Sequence, residues 1–505
     1  MMDLVLRSLL ILSLALAGRL FLRSKDLSAT ERLARSLLPP ALLTTVGVFA
    51  KFILLAPFWD RNASRLVGAF CFKLGLPLYP SPDSGAVQSM NYPPLAAILF
   101  WPATLFSTPT HALLAGALLT IFYFYAPVLC VFYYYGKHPP EKNSGSWISI
   151  FFLAFVMICL NTTSLSYSGF RLHADAPALG LGALACLFCS TGSLFASALC
   201  AASAIWTKQS LVPLLIALPF YVSIARGGKV ALRYSVQLTS VLALFLLLTL
   251  THVKAGDLLF NLIYISRKPW AGPIGNLLPL QWREMFLQHL LLPIMLFAFG
   301  RPAISFRDWR SWITNNPWTL WVIVAFAMTP VALMNRCTAG GDVNAFSLAS
   351  YYLTIGAFVL LLSHWENRRI ALCLVALLCV TELPALFHFG LAGILNGLPA
   401  NPQEVAFNYA RAHPGDAYFP WNPLSTLMAE GKLYHFEPAV TDWALAGHPL
   451  SEDHYNRYIP AAARIIAYPA DNEFTHETTL KRLPQFNQRT DVQDLPGWMV
   501  YRREK

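Results

Sequence analysis

Long apolar segments alternate with short polar connections along most of the chain. A helical segment of this length crosses a hydrocarbon core of roughly 30 Å. The pattern predicts an all-α polytopic membrane protein of about 11–12 transmembrane helices. The weakest candidates are the first segment, which carries two arginines, and the short pair on either side of Gly192. The candidate segments are 4–22, 37–57, 112–135, 147–163, 176–191, 194–206, 210–225, 234–251, 286–300, 318–334, 346–363 and 370–388.

The distribution of basic residues over the loops predicts which side of the membrane each loop faces. The chain is 56% hydrophobic and 12% charged, whereas soluble domains contain about 25% charged residues. Every second connection is basic, as cytoplasmic loops are, which places the large first loop 58–111 and the tail after 389 outside the cytoplasm. We therefore expect a multi-pass protein of the inner cell membrane with its active site facing outward. The net charge of +11 is scattered over many loops, which favours membrane topology and anionic lipid over nucleic acid.

The tail lacks a further apolar segment of membrane length, so residues 1–394 are assigned to the transmembrane module and 395–505 to a small extracytoplasmic α/β domain. Strands are expected at 417–419, 464–468 and 498–501, and a helix at 403–411. Acceptor binding and a stabilising cap are equally supported roles for this domain. Its histidines lack the spacing of metal ligands, and we expect them at the surface: His413, His435, His448, His454 and His476.

Polar side chains cluster on the predicted outer face, and ionisable groups near membrane depth are functional candidates because they are costly there. Asp60 follows an apolar segment that ends in aromatic residues, where partial desolvation favours a general base. The competing interpretation is a helix-end carboxylate paired with Arg61. The candidates form four groups: Asp60 with Arg61, Asp83 and Tyr92; Arg171, His173 and Asp175; Lys208 and Gln209; and Arg336, Asp342 and Asn344.

Each of the later groups has two interpretations. Arg171 suits bidentate phosphate binding, whereas Asp175 stands in the first turn of a Gly- and Ala-rich helix, where a carboxylate suits the helix dipole and small residues allow close packing. Lys208 between two apolar segments either reaches a lipid head group or holds a phosphate in a cavity. Two glycines before Asp342 predict a tight turn, either a plain connection or a binding loop.

Four segments carry a family resemblance: LGLPLYPSPDSGAVQSMNYPPLAAIL, the Arg and Asp before the small-residue helix, the TKQ turn and the GGDVN turn. In this order they resemble the GT-C superfamily of membrane glycosyltransferases, and are similar to protein O-mannosyltransferases, aminoarabinose transferases and lipopolysaccharide galacturonosyltransferases. The resemblance implies inverting transfer of a sugar from a polyprenyl phosphate to a hydroxyl of a lipid, glycan or protein acceptor. It implies that Asp60 is the general base and that the donor phosphate is bound by Arg171, Lys208 and Gln209. Assisting or substrate-binding roles then fall to Arg61, Asp83, Tyr92, Asp175, Asp342 and Asn344.

No organic cofactor is expected, and no metal ligand is assigned. Some members of that family bind a divalent cation at acidic loop residues, whereas this chain has Arg61 beside Asp60. The phosphate-loop and dinucleotide-binding motifs are absent from the sequence, which favours a lipid-linked donor over a nucleotide. The alternatives are a transporter or flippase for a lipid-linked solute, a lyase-like or acyl-transferring enzyme, and an inactive scaffold. Cys71 and Cys337 both fall in outer loops, where an oxidising compartment would permit a disulfide.

Overall fold

The computed structural model describes residues 2–24, 27–59, 61–137, 144–300, 308–363, 368–388, 401–469 and 476–503. Each predicted apolar segment is helical over most of its length. The helices before the tail are α1 (Met2–Arg23), α2 (Ala29–Leu55), α3 (Asn62–Leu74), α4 (Leu95–Ile98), α5 (Pro109–Gly136), α6 (Ser144–Asn161), α7 (Thr163–Phe170), α8 (Asp175–Thr191), α9 (Leu194–Thr207), α10 (Leu214–Arg226), α11 (Gly228–Leu250), α12 (Ala255–Leu259), α13 (Ile274–Glu284), α14 (Leu291–Gly300), α15 (Trp309–Asn315), α16 (Trp318–Cys337), α17 (Ser347–Ser363) and α18 (Arg368–His388). Short 3₁₀ turns lie at Ala56–Phe58, Trp101–Leu105, Gln209–Leu211 and Val343–Phe346, and π-helical turns at Phe260–Tyr264 and Met285–Leu290.

The predicted fold class, a polytopic helical membrane protein, is confirmed. Six of the helices in the described residues are long and apolar enough to cross a membrane, or seven if one bent pair is a single span. Helices α8 and α9 are shorter, at 17 and 14 residues, because Gly192 adopts a left-handed conformation with φ of 94° and ends α8. The total of about 11–12 spans stays a prediction.

The bent pair is α6 and α7, whose axes differ by 105°. The predicted apolar segment 147–163 covers most of α6 and ends at the break, which falls at Thr162, a residue with an extended backbone. Because of the bend, α7 turns across the end of the bundle, and the structure brings its Tyr167 to the polar cavity described below.

Small residues bring the central helices together as the sequence predicts. Helix α17 is buried along its length from Ser347 to Leu362. A Cβ added to Gly182 of α8 would lie 1.9 Å from the Tyr352 hydroxyl, and one added to Gly180 would lie 2.0 Å from the Tyr123 carbonyl oxygen. Helix α8 therefore packs against both α17 and α5 at distances that leave no room for a side chain at these positions.

The tail folds as an α/β unit with a four-stranded sheet in the order β1-β2-β4-β3. The strands are β1 (Ala417–Tyr418), β2 (Ile465–Pro469), β3 (Phe486–Thr490) and β4 (Trp498–Arg503), and the helices are Pro402–Ala412, Pro423–Glu430, Glu437–Leu445, Glu452–Arg457 and His476–Arg482. Strands β1 and β2 are parallel and the other pairs antiparallel. The three predicted strands and the helix at 403–411 are confirmed. Strand β3 was not predicted from the sequence, because its residues FNQRT are largely polar and exposed. The division at 394 and 395 falls outside the described residues and stays a prediction.

The prediction of surface histidines is wrong for His435 and His454, which are 0% and 4% exposed. Both contact the first loop of the membrane part. The Val87 N–H donates to His435 Nδ1 at 3.0 Å, and His454 Nε2 lies 2.9 Å from the Gly85 carbonyl oxygen. These histidines are buried because the α/β unit docks on the segment 85–88, a contact between residues far apart in the chain.

Candidate functional site

A polar cavity lies where the first loop, the region around Lys208, the GGDVN turn and the α/β unit meet. It has a larger lobe of about 440 Å³ and a smaller lobe of about 290 Å³. Eight residues line both lobes, and we call them the neck: Arg61, Arg65, Tyr167, Lys268, Gly340, Gly341, Asp342 and Asp442. The cavity therefore joins the end of the membrane bundle to the domain that follows it.

A buried network around Asp175 supports the wall of the larger lobe. Asp175 is 0% exposed and forms an ion pair with Lys208. His173 Nδ1 lies 2.6 Å from its carboxylate, and the Asn344 amide donates to it at 2.6 Å. Beyond His173, the Tyr92 hydroxyl lies 3.0 Å from Nε2. This network satisfies the buried carboxylate and joins segments from four regions of the chain.

Burial lowers the pKa of His173 to about 4, although the neighbouring Asp175 carboxylate opposes that change. The imidazole is therefore neutral at neutral pH. Burial also raises the pKa of the Tyr92 phenol, so that this group keeps its proton. The Tyr92 and His173 pair contributes hydrogen-bonding groups to the cavity and no net charge.

Two guanidinium groups flank the ring of Tyr167. The Arg171 guanidinium carbon lies 4.7 Å from the ring centre and that of Arg65 lies 5.5 Å from it. Arg65 also donates to the Tyr167 hydroxyl at 2.7 Å and to the Leu172 carbonyl oxygen at 2.8 Å. Within the described part of the chain, neither arginine forms an ion pair with a carboxylate. The smaller lobe therefore presents positive charge that an anion can neutralise.

The GGDVN turn closes the neck and requires its glycines. Gly340 has φ of +75°, and a Cβ on Gly341 would lie 2.2 Å from the Asn335 carbonyl oxygen. Asp342 accepts from the Val343 N–H at 2.7 Å and caps the following 3₁₀ turn. The turn is thus both a tight interhelical connection and a lining of the cavity.

An ion pair crosses the neck between the membrane part and the α/β unit. Lys268 Nζ lies 2.6 Å from the Asp442 carboxylate. A Cβ on Gly340 would lie 3.5 Å from the same ammonium group. Of the described cations in the neck and the larger lobe, Lys268 and Lys208 are thus already paired with carboxylates.

The structure gathers most of the predicted site residues. Arg336 lies outside the lining, whereas the candidates that line the cavity are Arg61, Tyr92, Arg171, His173, Lys208, Gln209, Asp342 and Asn344. Asp175 lies behind the lining, where it contacts His173, Lys208 and Asn344. Asp83 is exposed in the turn Ser81–Ser84 and lies outside the lining. Asp60 is outside the described residues, although its neighbours Trp59 and Arg61 line the smaller lobe. The roles of these residues stay predictions.

Among the lining residues that sequence reasoning missed are Arg65, Lys268, Asp442 and Gln88. Arg65 had a local signal, since it follows Arg61 by one helical turn and shares its face. Gln88 and Lys268 lie in loops and Asp442 lies in the helix Glu437–Leu445, and all three reach the cavity through tertiary contacts. The described residues contain no group of three or more His, Cys, Asp or Glu side chains that could hold a metal ion. Cys71 and Cys337 are both buried free thiols in this structure.

These features define a class: a multi-pass helical membrane protein with a polar, partly cationic cavity between its loops and a terminal α/β unit. No family model and no curated protein matches the chain. Two solved structures are similar to it, both of ArnT from Cupriavidus metallidurans. The apo structure has 13% identity and a TM-score of 0.47, covering 88% of this chain and 93% of that chain. The structure bound to undecaprenyl phosphate has 12% identity and a TM-score of 0.48, covering 94% and 98%.

Proposed function

We propose that this protein is an inverting glycosyltransferase that moves a sugar from a polyprenyl-phosphate donor to a hydroxyl of a lipid, glycan or protein acceptor. The proposed site faces the outside of an inner cell membrane. The observation that carries the proposal is the pair of guanidinium groups, Arg65 and Arg171, that flank Tyr167 without a carboxylate partner in the described residues. An anion at the end of a membrane bundle is the ligand that such a lobe fits, and a lipid phosphate has both properties.

The proposed reaction needs a base, a neutralised leaving group and positioning. The base removes the proton of the acceptor hydroxyl, whose oxygen bonds to the anomeric carbon as the bond from that carbon to the phosphate oxygen breaks. The electron pair leaves with the polyprenyl phosphate, and attack from the opposite face inverts the anomeric centre. Arg65 and Arg171 would stabilise the negative charge that grows on the phosphate. Asp60 is the proposed base, because it stands between two residues that line the smaller lobe.

The network around Asp175 would position the substrate without acting in the proton transfer. Its carboxylate is fully buried and already engaged by Lys208, His173 and Asn344. The Lys208 charge is compensated there, so we assign donor phosphate binding to Arg171 and Arg65 first and to Lys208 second. Asn344 and Gln209 remain substrate-binding candidates.

The test is release of polyprenyl phosphate by the purified full-length protein in lipid vesicles, given a panel of polyprenyl-phosphate sugars and a glycolipid extract. Arg171→Ala should raise the KM for the donor by about tenfold, the value of one charge-assisted hydrogen bond, with little change for the acceptor. The matched control is Arg457→Ala, an exposed arginine outside the cavity. Equal loss for donor and acceptor would contradict the role of Arg171. No release with any donor would overturn the proposed function, and a solute-flux assay would then test transport.

A further inference from the structure

One segment of the first loop is held by the α/β unit at one end and by the membrane part at the other. The segment is 88–92, and all five of its residues line the larger lobe but not the smaller one. We propose that Val87 and His435 are positioning residues, because docking of the α/β unit on Val87 sets the place of this segment. Under the proposed function, on which this inference rests, the larger lobe receives the sugar of the donor and the smaller lobe its phosphate. Recognition of the sugar then depends on the docked α/β unit, and recognition of the phosphate does not.

Val87 enters the core of the α/β unit. Its side chain is 0% exposed and belongs to one buried cluster with Phe436, Val440 and Trp443. Its N–H donates to His435 Nδ1 at 3.0 Å, and its carbonyl oxygen accepts from the Phe436 N–H at 2.9 Å. The α/β unit therefore engages the side chain and both backbone polar groups of Val87, which fixes this residue relative to that unit.

A second segment of the membrane part joins the same cluster. The Phe260 ring centre lies 4.8 Å from that of Trp443, and Ile265 is buried in the cluster. Ile265 and Trp443 also line the larger lobe, as do the neighbouring residues Asn261 and Ser266. Among the described residues, no member of the cluster lines the smaller lobe. The packing between the two parts of the protein therefore adjoins the larger lobe alone.

The far end of the segment 88–92 is fixed by the membrane part. The Tyr79 hydroxyl donates to the Tyr92 carbonyl oxygen at 2.6 Å, and the Gln209 amide donates to the Asn91 carbonyl oxygen at 2.8 Å. The segment thus runs between two anchors that belong to different parts of the protein. A displacement of the α/β unit moves the first anchor and leaves the second in place, so the wall of the larger lobe must change its course.

The smaller lobe takes its free cations from elements that this contact does not hold. Arg65 lies in α3 and Arg171 directly follows α7, and Arg65 donates to the Leu172 carbonyl oxygen within the membrane part. Among the described residues, Asp442 is the one lining residue of the smaller lobe that belongs to the α/β unit, and it pairs with Lys268. Loss of the Val87 contact should therefore affect the larger lobe selectively.

The test is calorimetric binding of the full-length protein in detergent to bare polyprenyl phosphate and to polyprenyl phosphates that carry a hexose, a pentose, an amino pentose or a hexuronic acid. The measured quantity is the ratio between the affinity for the sugar-carrying donor that the wild type binds most tightly and the affinity for bare polyprenyl phosphate. Val87→Ala should lower this ratio by about tenfold, the value of one well-aligned hydrogen bond to the sugar, and leave binding of bare polyprenyl phosphate unchanged. A wild type that binds no sugar-carrying donor more tightly than bare polyprenyl phosphate would overturn the inference.

A matched control separates positioning from stability. Val500→Ala removes the same two methyl groups from another buried site of the α/β unit, in a different cluster with Phe419 and Trp498. Both valine variants should lower the Tm, because each leaves a cavity in the core. Only Val87→Ala should lower the affinity ratio. Equal ratios in the two variants would contradict positioning by Val87.

The hydrogen bond of His435 has its own test. His435→Leu leaves the buried Val87 N–H without its acceptor, so it should lower the affinity ratio as Val87→Ala does. His435→Asn restores a side-chain acceptor and should recover most of the ratio. His413→Leu is the control, because this exposed histidine of the α/β unit lies outside the cavity lining. Equal ratios in the leucine and asparagine variants of His435 would contradict its role in positioning.

Hydrogen–deuterium exchange of the wild type tests the same coupling without a substitution. A sugar-carrying donor should slow amide exchange in peptides that cover both 87–92 and 434–440, whereas bare polyprenyl phosphate should slow neither. Slower exchange confined to 87–92 would show that the larger lobe binds its ligand independently of the α/β unit, which would overturn the inference.

Turnover separates this inference from the proposed function, because neither binding nor exchange requires it. A lowered affinity ratio in Val87→Ala, together with a wild type that releases no polyprenyl phosphate from any donor, would support the positioning role and contradict glycosyl transfer. Release by the wild type together with an unchanged ratio in Val87→Ala would support glycosyl transfer and contradict the positioning role.

Discussion

Individual side chains decide which cations of the cavity are available to an anion. Lys208 and Lys268 each have a carboxylate partner, Asp175 and Asp442. Arg65 instead contacts the Tyr167 ring and a backbone carbonyl oxygen. Aromatic and carbonyl contacts orient a guanidinium group without neutralising it. Residue type alone does not reveal this difference, because every one of these cations is expected at a polar loop.

Asp175→Asn should destabilise the protein strongly. The substitution leaves the Lys208 ammonium group buried without its carboxylate, and breaking a buried ion pair costs about 3–5 kcal/mol. Thermal unfolding in detergent should show a lower Tm, and the double variant Asp175→Asn with Lys208→Met should recover most of the loss. A single variant as stable as the wild type would show that the pair contributes nothing to the fold.

Asp60→Asn should abolish transfer while the protein still folds and inserts. Loss of a general base lowers kcat by about 10²–10⁴-fold, which release of polyprenyl phosphate would measure. Asp453→Asn, an exposed aspartate in the α/β unit, is the matched control. An Asp60→Asn protein that turns over at the normal rate would remove Asp60 from the mechanism.

Among the elements, the GGDVN turn does most to shape the cavity. It connects α16 to the 3₁₀ turn before α17, and Arg336 donates to the Gly341 carbonyl oxygen at 3.0 Å. Gly341 lies so close to the end of α16 that its backbone faces a carbonyl oxygen where a Cβ would stand. In this conformation the turn places Asp342 at the neck and Asn344 against Asp175.

Gly341→Ala should disturb the cavity more than the fold. The added methyl would lie 2.2 Å from the Asn335 carbonyl oxygen, so the turn must move, and an overpacked site costs about 1–3 kcal/mol. We expect a large fall in donor binding with a modest fall in Tm. Gly275→Ala is the control, because nothing lies within 4 Å of its added Cβ. Normal donor binding by Gly341→Ala would show that the turn tolerates displacement.

Across the whole molecule, the α/β unit packs directly against the first loop. The Phe436 N–H donates to the Val87 carbonyl oxygen at 2.9 Å, beside the contact of Val87 with His435. The loop then continues from Gln88 to Tyr92 along the larger lobe. The α/β unit thus holds the segment that lines the cavity, which supports both roles considered from the sequence, a stabilising cap and a contributor to binding.

This contact should weaken as the pH falls. Burial lowers the pKa of His435 from 6.5 to about 4, and its surroundings include His454, Tyr455, Tyr458 and Arg482. Since the folded pKa is depressed, the contribution of His435 to stability is complete above about pH 6.5 and is lost as the pH falls toward about 4. The loss between about pH 7 and pH 5 is on the order of 2 kcal/mol.

Urea unfolding followed by tryptophan fluorescence at both pH values would measure the loss. His435→Asn keeps an acceptor near the Nδ1 position but does not titrate, so its stability should depend less on pH. An identical pH dependence in the variant and the wild type would assign the effect to other groups.

The helical segments could be predicted from the sequence because burial in a bilayer selects long apolar runs, a local property of the chain. The apolar segment 147–163 ends at the break near Thr162, but helix α7 beyond it was not predicted, because its sequence TSLSYSGF is short and rich in polar residues. Strand β3 was also missed, since an exposed edge strand carries no alternating apolar pattern. Both misses occur where the structure depends on neighbouring elements.

By itself, the sequence determined the membrane class, the position of the α/β unit and a set of candidate site residues, because these follow from hydropathy and residue type. Only the tertiary structure decided which candidates meet. In the structure, Asp83 lies outside the cavity lining, whereas Arg65, Lys268 and Asp442 belong to it. The charge of Lys208 is compensated by Asp175. The physical reason is that charge compensation and cavity shape depend on distances of a few ångströms between residues far apart in the chain, which no local pattern encodes.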